Sequence, residues 1–160
     1  MADREFVSPT MISGIVDGLL VDVNAKGDIA SEVWNDYLTW LEQTVRVNPK
    51  PATLTFAPAA MPNAKQRADY AELGKRIPDL HPRCMILISD SAVVRGAMTA
   101  MAWVTGAKLT MHALSPANWR DSFGLLKPFI QPSEAIVAEK LRAWAKGVGF
   151  TDGELQRWSL

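Results

Sequence analysis

Ser89, Asp90 and Ser91 form the most chemically suggestive group in this chain of 160 residues, because they directly follow a short apolar run. A small-residue helical pattern begins at once, and Arg95 lies one helical turn further along. A strand that enters a helix through a tight turn places such side chains at the sheet edge where ligands and partners usually bind. The turn is therefore where the sequence predicts function, although its residue types suit several roles.

The first role is structural, since an aspartate or serine oxygen at this point would cap the following helix. The second is recognition of a partner protein by Ser89, Asp90, Ser91 and Arg95, with Ser91 as a possible phosphorylation site. A phosphate on Ser91 would be favoured by the helix N-terminus and by Arg95, and opposed by Asp90. The residue types alone leave both interpretations open.

A serine nucleophile is the third and least favoured role. Strand-to-helix turns that hold a nucleophilic serine have glycines two residues to either side, which permit a strained backbone. In this chain Ser89 and Val93 occupy those positions around Ser91, and His112 is the only plausible base on a neighbouring strand. The sequence therefore predicts a protein that is not an enzyme, with a serine hydrolase as the weaker alternative.

Neither a metal nor a cofactor is predicted. The chain has one cysteine, Cys84, and two histidines, His81 and His112, which is a poor ligand set for a transition metal. It has no glycine-rich phosphate loop of the Walker or dinucleotide type. Cys84 begins an apolar run and is predicted to be a buried, unreactive thiol.

Composition narrows the class of partner. The chain has 17 basic and 17 acidic residues and no net charge, so no nucleic-acid binding is expected. The longest apolar stretch, residues 92–104, contains Arg95 and is too short for a membrane span. The first residues lack the basic and apolar segments of a signal peptide, so a cytoplasmic location is expected.

Strands and helices are predicted to alternate, in the order β-α-β-α-β-α-β-α-α. This order predicts an α/β fold with a single-layer, mostly parallel sheet of four to five strands flanked by helices. One domain spans 1–160, with a core over about 12–146 and a tail over 147–160. Strands are predicted over 14–23, 52–56, 84–89 and 108–114. Helices are predicted from a cap at Asp28 or Ser31 to about Arg46, and over 63–76, 92–104, 118–126 and 132–146.

Six tryptophans are many for a chain of this length. Trp34 lies on a different helical face from Val33 and Tyr37, so it is predicted to be partly exposed. Trp119 begins the short helix over 118–126. Exposed tryptophans commonly anchor protein interfaces, so both are candidate partner contacts, but packing of the tail and the short helix on the sheet is the favoured interpretation.

The strand-turn-helix pattern resembles the STAS-like fold family, which includes bacterial anti-sigma-factor antagonists and a looser set of STAS/SEC14-like bacterial domains. The matching residues are Met-Ile-Leu-Ile-Ser-Asp at 85–90, Ala-Met-Ala-Trp at 100–103 and Ala-Lys-Leu-Thr-Met-His at 107–112. The antagonists have the turn Asp-Ser-Ser-Gly-Leu-Gly, in which a serine is phosphorylated; this chain keeps Asp90 and Ser91 but departs at Ala92 and Val93. The resemblance implies a non-enzymatic domain that binds a protein and sometimes a small apolar ligand.

Two functional hypotheses follow. The first is a non-catalytic regulatory or scaffolding module that binds another protein, or a second copy of itself as a homodimer. Its contacts would be Ser89, Asp90, Ser91, Arg95, Trp34 and Trp119. The second is a carrier or sensor of a small apolar ligand, held between the sheet and the predicted third helix with its Met98 and Met101.

Overall fold

The computed structural model of the chain describes residues 5–59, 62–97 and 109–160. Its six strands form one sheet in which the spatial order follows the chain order. The first three strands pair antiparallel, and the last four pair parallel. The strands are β1 (Phe6–Val7), β2 (Met11–Val16), β3 (Leu19–Asn24), β4 (Ala52–Phe56), β5 (Cys84–Ile88) and β6 (Thr110–Leu114).

The segment predicted as one strand over 14–23 is instead a β-hairpin formed by β2 and β3. Asp17 and Gly18 make its two-residue turn with φ values of 48° and 82°. Positive φ at both central positions matches the twist of the flanking strands, and Asp-Gly is a preferred pair for such a turn. The hairpin and the short β1 raise the strand count to six, so the predicted count of four to five is wrong.

The helices connect and cover this sheet. They are α1 (Ser31–Val47), α2 (Ala64–Arg76), α3 with residues 92–97 described, α4 (Ser122–Leu126), α5 (Glu134–Gly147) and α6 (Asp152–Arg157). Short 3₁₀ helices span Pro78–Leu80 and Pro116–Asp121. The rest of the helix predicted over 92–104, including Met98, Met101 and Trp103, lies outside the described residues, as does the predicted start of the last strand at Lys108.

Side-chain alternation divides the sheet into two apolar faces. Val21, Leu54 and Ile86 share one face and pack in a cluster with side chains of α4, α5 and α6. Leu20 lies on the opposite face, in a cluster with side chains of α1 and α2. The predicted mostly parallel α/β sheet flanked by helices is therefore confirmed at this level.

The C-terminal residues belong to the first of these faces. Leu155 of α6 and Trp158 are buried in the same cluster as Phe56, and the Trp119 indole N–H donates to the Trp158 carbonyl over 3.0 Å. The segment predicted as a tail over 147–160 thus contains a helix that covers the sheet. In the described ranges, no helix is long and apolar enough to cross a membrane.

Candidate functional site

A cavity of about 410 Å³ lies between the sheet and helices α1 and α2. Side chains of five strands line one wall, and the two helices line the other. Most of the surface is apolar, and the volume falls in the usual range for small-molecule sites, about 300–1,000 Å³. The residues that line the cavity include Leu20, Asp22, Asn24, Trp34, Tyr37, Thr55, Arg67, Tyr70, Ala71, His81 and Leu87.

Asp22 places a carboxyl group on the sheet wall of this cavity. It lies in the middle of β3, paired with Ser13 of β2 and with Thr55 of β4, so the three side chains share one face. The Tyr37 hydroxyl donates to Asp22 Oδ1 over 3.3 Å, and the Thr55 hydroxyl donates to Oδ2 over 3.2 Å. Asp22 is only 4% exposed. The fold therefore fixes a buried carboxyl group beside an apolar space.

Burial controls the charge of this carboxyl group. Loss of hydration raises the pKa of Asp22 to about 6, and the hydroxyls of Ser13, Thr55 and Tyr37 offset part of that effect. These three hydroxyl groups are uncharged, so none of them neutralises the charge of the carboxylate. Asp22 is thus mostly ionised at neutral pH, and the described residues bring no positively charged side chain into an ion pair with it.

Aromatic rings surround the carboxyl group. Trp34 and Tyr37 of α1 lie with ring centroids 5.4 Å apart, and Tyr70 of α2 packs edge-on against His81 at 5.8 Å. Burial raises the pKa of Tyr37 and of Tyr70, and the negative charge of Asp22 raises both further. Both phenols therefore remain neutral, and both residues line the cavity.

Two more lining residues carry buried polar atoms that make no hydrogen bond with the described part of the chain. These atoms are Asn24 Oδ1, two residues after Asp22 on the same face of β3, and Trp34 Nε1. Asn24 is 3% exposed and Trp34 is 5% exposed. An unpaired buried polar atom costs about 1–3 kcal/mol. Asn24 Oδ1 can accept and Trp34 Nε1 can donate a hydrogen bond to a molecule in the cavity.

The helix α2 forms the exposed side of the cavity. Arg67, Ala71 and His81 line it and are exposed to solvent. The Arg67 guanidinium donates through Nη1 to the Pro62 carbonyl over 2.7 Å. The buried Gln66 amide donates to the Ile29 carbonyl over 2.7 Å, which fixes the start of α2 against the loop before α1. The mouth therefore lies along a helix that is anchored at its N-terminus.

The turn after β5 has the capping geometry that its residue types predict. The Ser91 N–H donates to Ser89 Oγ, and the Val94 N–H donates to Ser91 Oγ, each over 3.2 Å. Arg95 folds back and donates through Nη1 to the Ser89 carbonyl over 2.6 Å. Ser89 is buried, whereas Asp90 is exposed. The helix-capping role of Ser91 is confirmed, and its roles in partner binding and phosphorylation stay predictions.

His112, considered above as a base for Ser91, lies in β6 directly beside Ile86. Ile86 belongs to the face that packs against α4, α5 and α6, so His112 shares that face by strand alternation. The Ser91 hydroxyl, in turn, accepts the capping hydrogen bond from Val94.

The structure buries both tryptophans that were candidate partner contacts. Trp34 is buried because α1 lies against the sheet with Tyr37 and Trp34 on the same inner side. Trp119 is fully buried in the cluster on the sheet face of Phe56, and its indole N–H donates to the Trp158 carbonyl. The prediction of partial exposure for Trp34 is therefore wrong, whereas the favoured packing of the short helix on the sheet is confirmed for Trp119.

Asp22 is the site residue that the sequence interpretation missed. A charge stands in the middle of the apolar run Leu19–Asn24, and alternation places it with Leu20 and Asn24 on one face. A strand that is buried on both faces seldom carries a carboxylate without a functional or pairing reason. That signal was available in the sequence, but the hairpin had to be recognised before the face could be assigned.

The described residues contain no group of three or more histidine, cysteine, aspartate or glutamate side chains that could hold a metal ion. Comparison with known proteins identifies no relative: no family model matches the chain, and neither a curated protein nor a solved structure matches it significantly. The site must therefore be interpreted from its own geometry.

Proposed function

We propose that this protein binds a small, mostly apolar molecule in the cavity between the sheet and helices α1 and α2. The observation that carries the proposal is the cavity of about 410 Å³, with apolar walls and one buried carboxyl group. Protein interiors contain few voids larger than a water molecule. A space of this size beside Leu20 and Leu87 is therefore typical of a binding site.

The polar groups of the cavity support the same proposal. Small-molecule sites combine apolar walls with a few fixed polar groups that orient the ligand. Here Asp22 is held by Tyr37 and Thr55, while Asn24 Oδ1 and Trp34 Nε1 have no partner in the described part of the chain. The proposed activity is binding, in a carrier or a sensor, and it requires no reaction.

Two exposed alanines of α2 provide a matched test. Ala71 lines the cavity and Ala68, one turn earlier, does not. We expect the neutral dye N-phenyl-1-naphthylamine to bind wild-type protein saturably, with one site per chain. Ala71→Trp should weaken binding by about tenfold or more by narrowing the mouth, whereas Ala68→Trp should leave the affinity within about twofold.

Fluorescence titration measures these affinities, and circular dichroism checks that both variants fold. Equal affinity in all three proteins, or binding without saturation, would contradict a site in this cavity. Native mass spectrometry of freshly purified protein gives an independent check. A non-covalent adduct on wild-type protein and Ala68→Trp that is lost in Ala71→Trp would support the proposal.

A second function, binding of a partner protein or a second copy of this chain at the Ser89–Arg95 turn, is favoured by one observation. Val93 is 82% exposed beside that turn. For the homodimer, light scattering of Val93→Asp against wild type is the direct test, and a loss of mass to the monomer is expected. A wild-type protein that is monomeric at high concentration would contradict the homodimer.

A further inference from the structure

We infer that the ligand of this cavity is an apolar amine, whose protonated nitrogen lies between Asp22, Asn24 and the rings of Trp34, Tyr37 and Tyr70. The inference rests on the proposed function and specifies the chemical class of the ligand. It depends on which hydrogen bonds the polar groups of the cavity already make and which of their atoms have no partner among the described residues.

The Asp22 carboxylate can accept more hydrogen bonds than the hydroxyls beside it donate. A carboxylate accepts about four hydrogen bonds, whereas the neutral hydroxyls of Tyr37 and Thr55 donate to Asp22 over 3.3 and 3.2 Å. Charge-assisted bonds from a cationic nitrogen are shorter, about 2.7–2.9 Å, and about twice as strong. A cation brought by a ligand is the partner that this carboxylate lacks.

A second hydrogen-bond acceptor, Asn24 Oδ1, lies on the same strand as Asp22. Asn24 follows Asp22 by two residues on the same face of β3, and its Oδ1 makes no hydrogen bond with described residues. Asn24 Oδ1 and the carboxylate both accept hydrogen bonds. An ammonium group has several N–H donors and no acceptor, so one nitrogen can satisfy both, which a carboxylate or ether ligand could not do.

Aromatic side chains line the cavity that contains Asp22. The π faces of Trp and Tyr attract cations within about 6 Å of the ring, and aromatic groups around a carboxylate are a common solution for ammonium recognition. Trp34, Tyr37 and Tyr70 all line the cavity. The Tyr37 hydroxyl lies 3.3 Å from Asp22 Oδ1, so this ring is next to the carboxylate.

The energetic balance also favours an amine. Desolvation usually cancels much of the gain from a buried ion pair. Here the carboxylate is already buried before any ligand arrives, so only the ligand nitrogen loses its hydration on binding. Arg67, a positively charged lining residue, is exposed and bonded to the Pro62 carbonyl, so its charge lies toward solvent.

A matched series of ligands tests the inference: 2-naphthylmethylamine, 2-naphthalenemethanol and 2-naphthoate share one ring system and differ in the head group. Isothermal titration calorimetry at pH 7.5 should show that the amine binds about tenfold or more tightly than the alcohol, and that the carboxylate binds weakest. Asp22→Asn should remove the preference for the amine and change the alcohol affinity by less than about threefold.

Asp36→Asn is the matched control, because Asp36 lies on the exposed side of α1, directly before Tyr37. It should keep the amine preference of wild-type protein. Equal affinities for amine and alcohol, tighter binding of the carboxylate, or an amine preference that survives Asp22→Asn would each overturn the inference.

Binding of N-phenyl-1-naphthylamine distinguishes the two levels of the proposal. If the dye binds and Ala71→Trp weakens it, but the amine preference is missing, the cavity is a ligand site for another class of molecule. If neither the dye nor any of the three compounds binds, both the proposed function and the ligand class are wrong.

Discussion

Asp22→Asn isolates the energetic effect of the carboxyl group that the fold buries beside the cavity. Burial raises the pKa of Asp22 from 3.8 to about 6 in the folded protein. Between these two values the folded chain binds one more proton than the unfolded chain at this position. Stability from Asp22 is therefore greatest below about pH 4 and is lost as the pH rises through about 6.

The magnitude follows from the size of this change. At about 1.4 kcal/mol for each pH unit, the rise corresponds to about 3 kcal/mol in the free energy of unfolding. Asn has the same shape and carries no charge, and its amide oxygen still accepts from the Tyr37 hydroxyl. The unfolding free energy of Asp22→Asn minus that of wild type should thus increase by about 2.4 kcal/mol from pH 4 to pH 7, which is most of the full effect.

Urea unfolding at several pH values, followed by circular dichroism, measures this difference, and subtraction cancels the titration of all other shared groups. Asp36→Asn, which removes an exposed carboxylate from the same helix as Tyr37, should give a difference that changes by less than about 0.5 kcal/mol. A flat difference for Asp22→Asn would refute the reasoning. A difference that falls with pH would show that the folded state stabilises the carboxylate.

Two further changes test the fold around the site. Gly18→Ala should lower the free energy of unfolding by about 1 kcal/mol or more, because Gly18 has a φ of 82° and an added Cβ would lie 3.0 Å from Ile130 Cδ1. The control for urea unfolding is Gly96→Ala, because an added Cβ at Gly96 meets nothing within 4 Å. An equal loss of unfolding free energy in the two variants would contradict the hairpin turn. Cys84 is buried, and burial raises its pKa to about 11. Native protein at pH 8 should therefore react with Ellman's reagent about 100-fold more slowly than protein in urea. Equal rates would show that the strand β5 opens readily.

The capped turn follows from residues close together in the sequence, whereas the cavity depends on contacts between distant elements. The turn after β5 was predicted from local chemistry alone, and its capping bonds are local: Ser89, Ser91 and Val94 lie within six residues of one another. The cavity is different, because Asp22 meets Tyr37 and Thr55 from two other elements. No pattern within β3 states which helix covers it or how closely.

The two tryptophans that were candidate partner contacts show the same limit. A helical face can be assigned from spacing, but the depth to which a face is buried depends on the partner that packs against it. Trp119 donates its indole N–H to the carbonyl of Trp158, 39 residues further along the chain. That contact is invisible to any local pattern.

The sequence by itself determined the alternation of strands and helices, the mostly parallel sheet and the capped helix start after β5, because these depend on periodicity, turn residues and hydrogen bonds between near neighbours. Tertiary structure alone decided that Asp22 is buried among aromatic rings beside a cavity. The physical reason is that hydration, and with it the charge and pKa of a carboxyl group, depends on which distant elements exclude water from it.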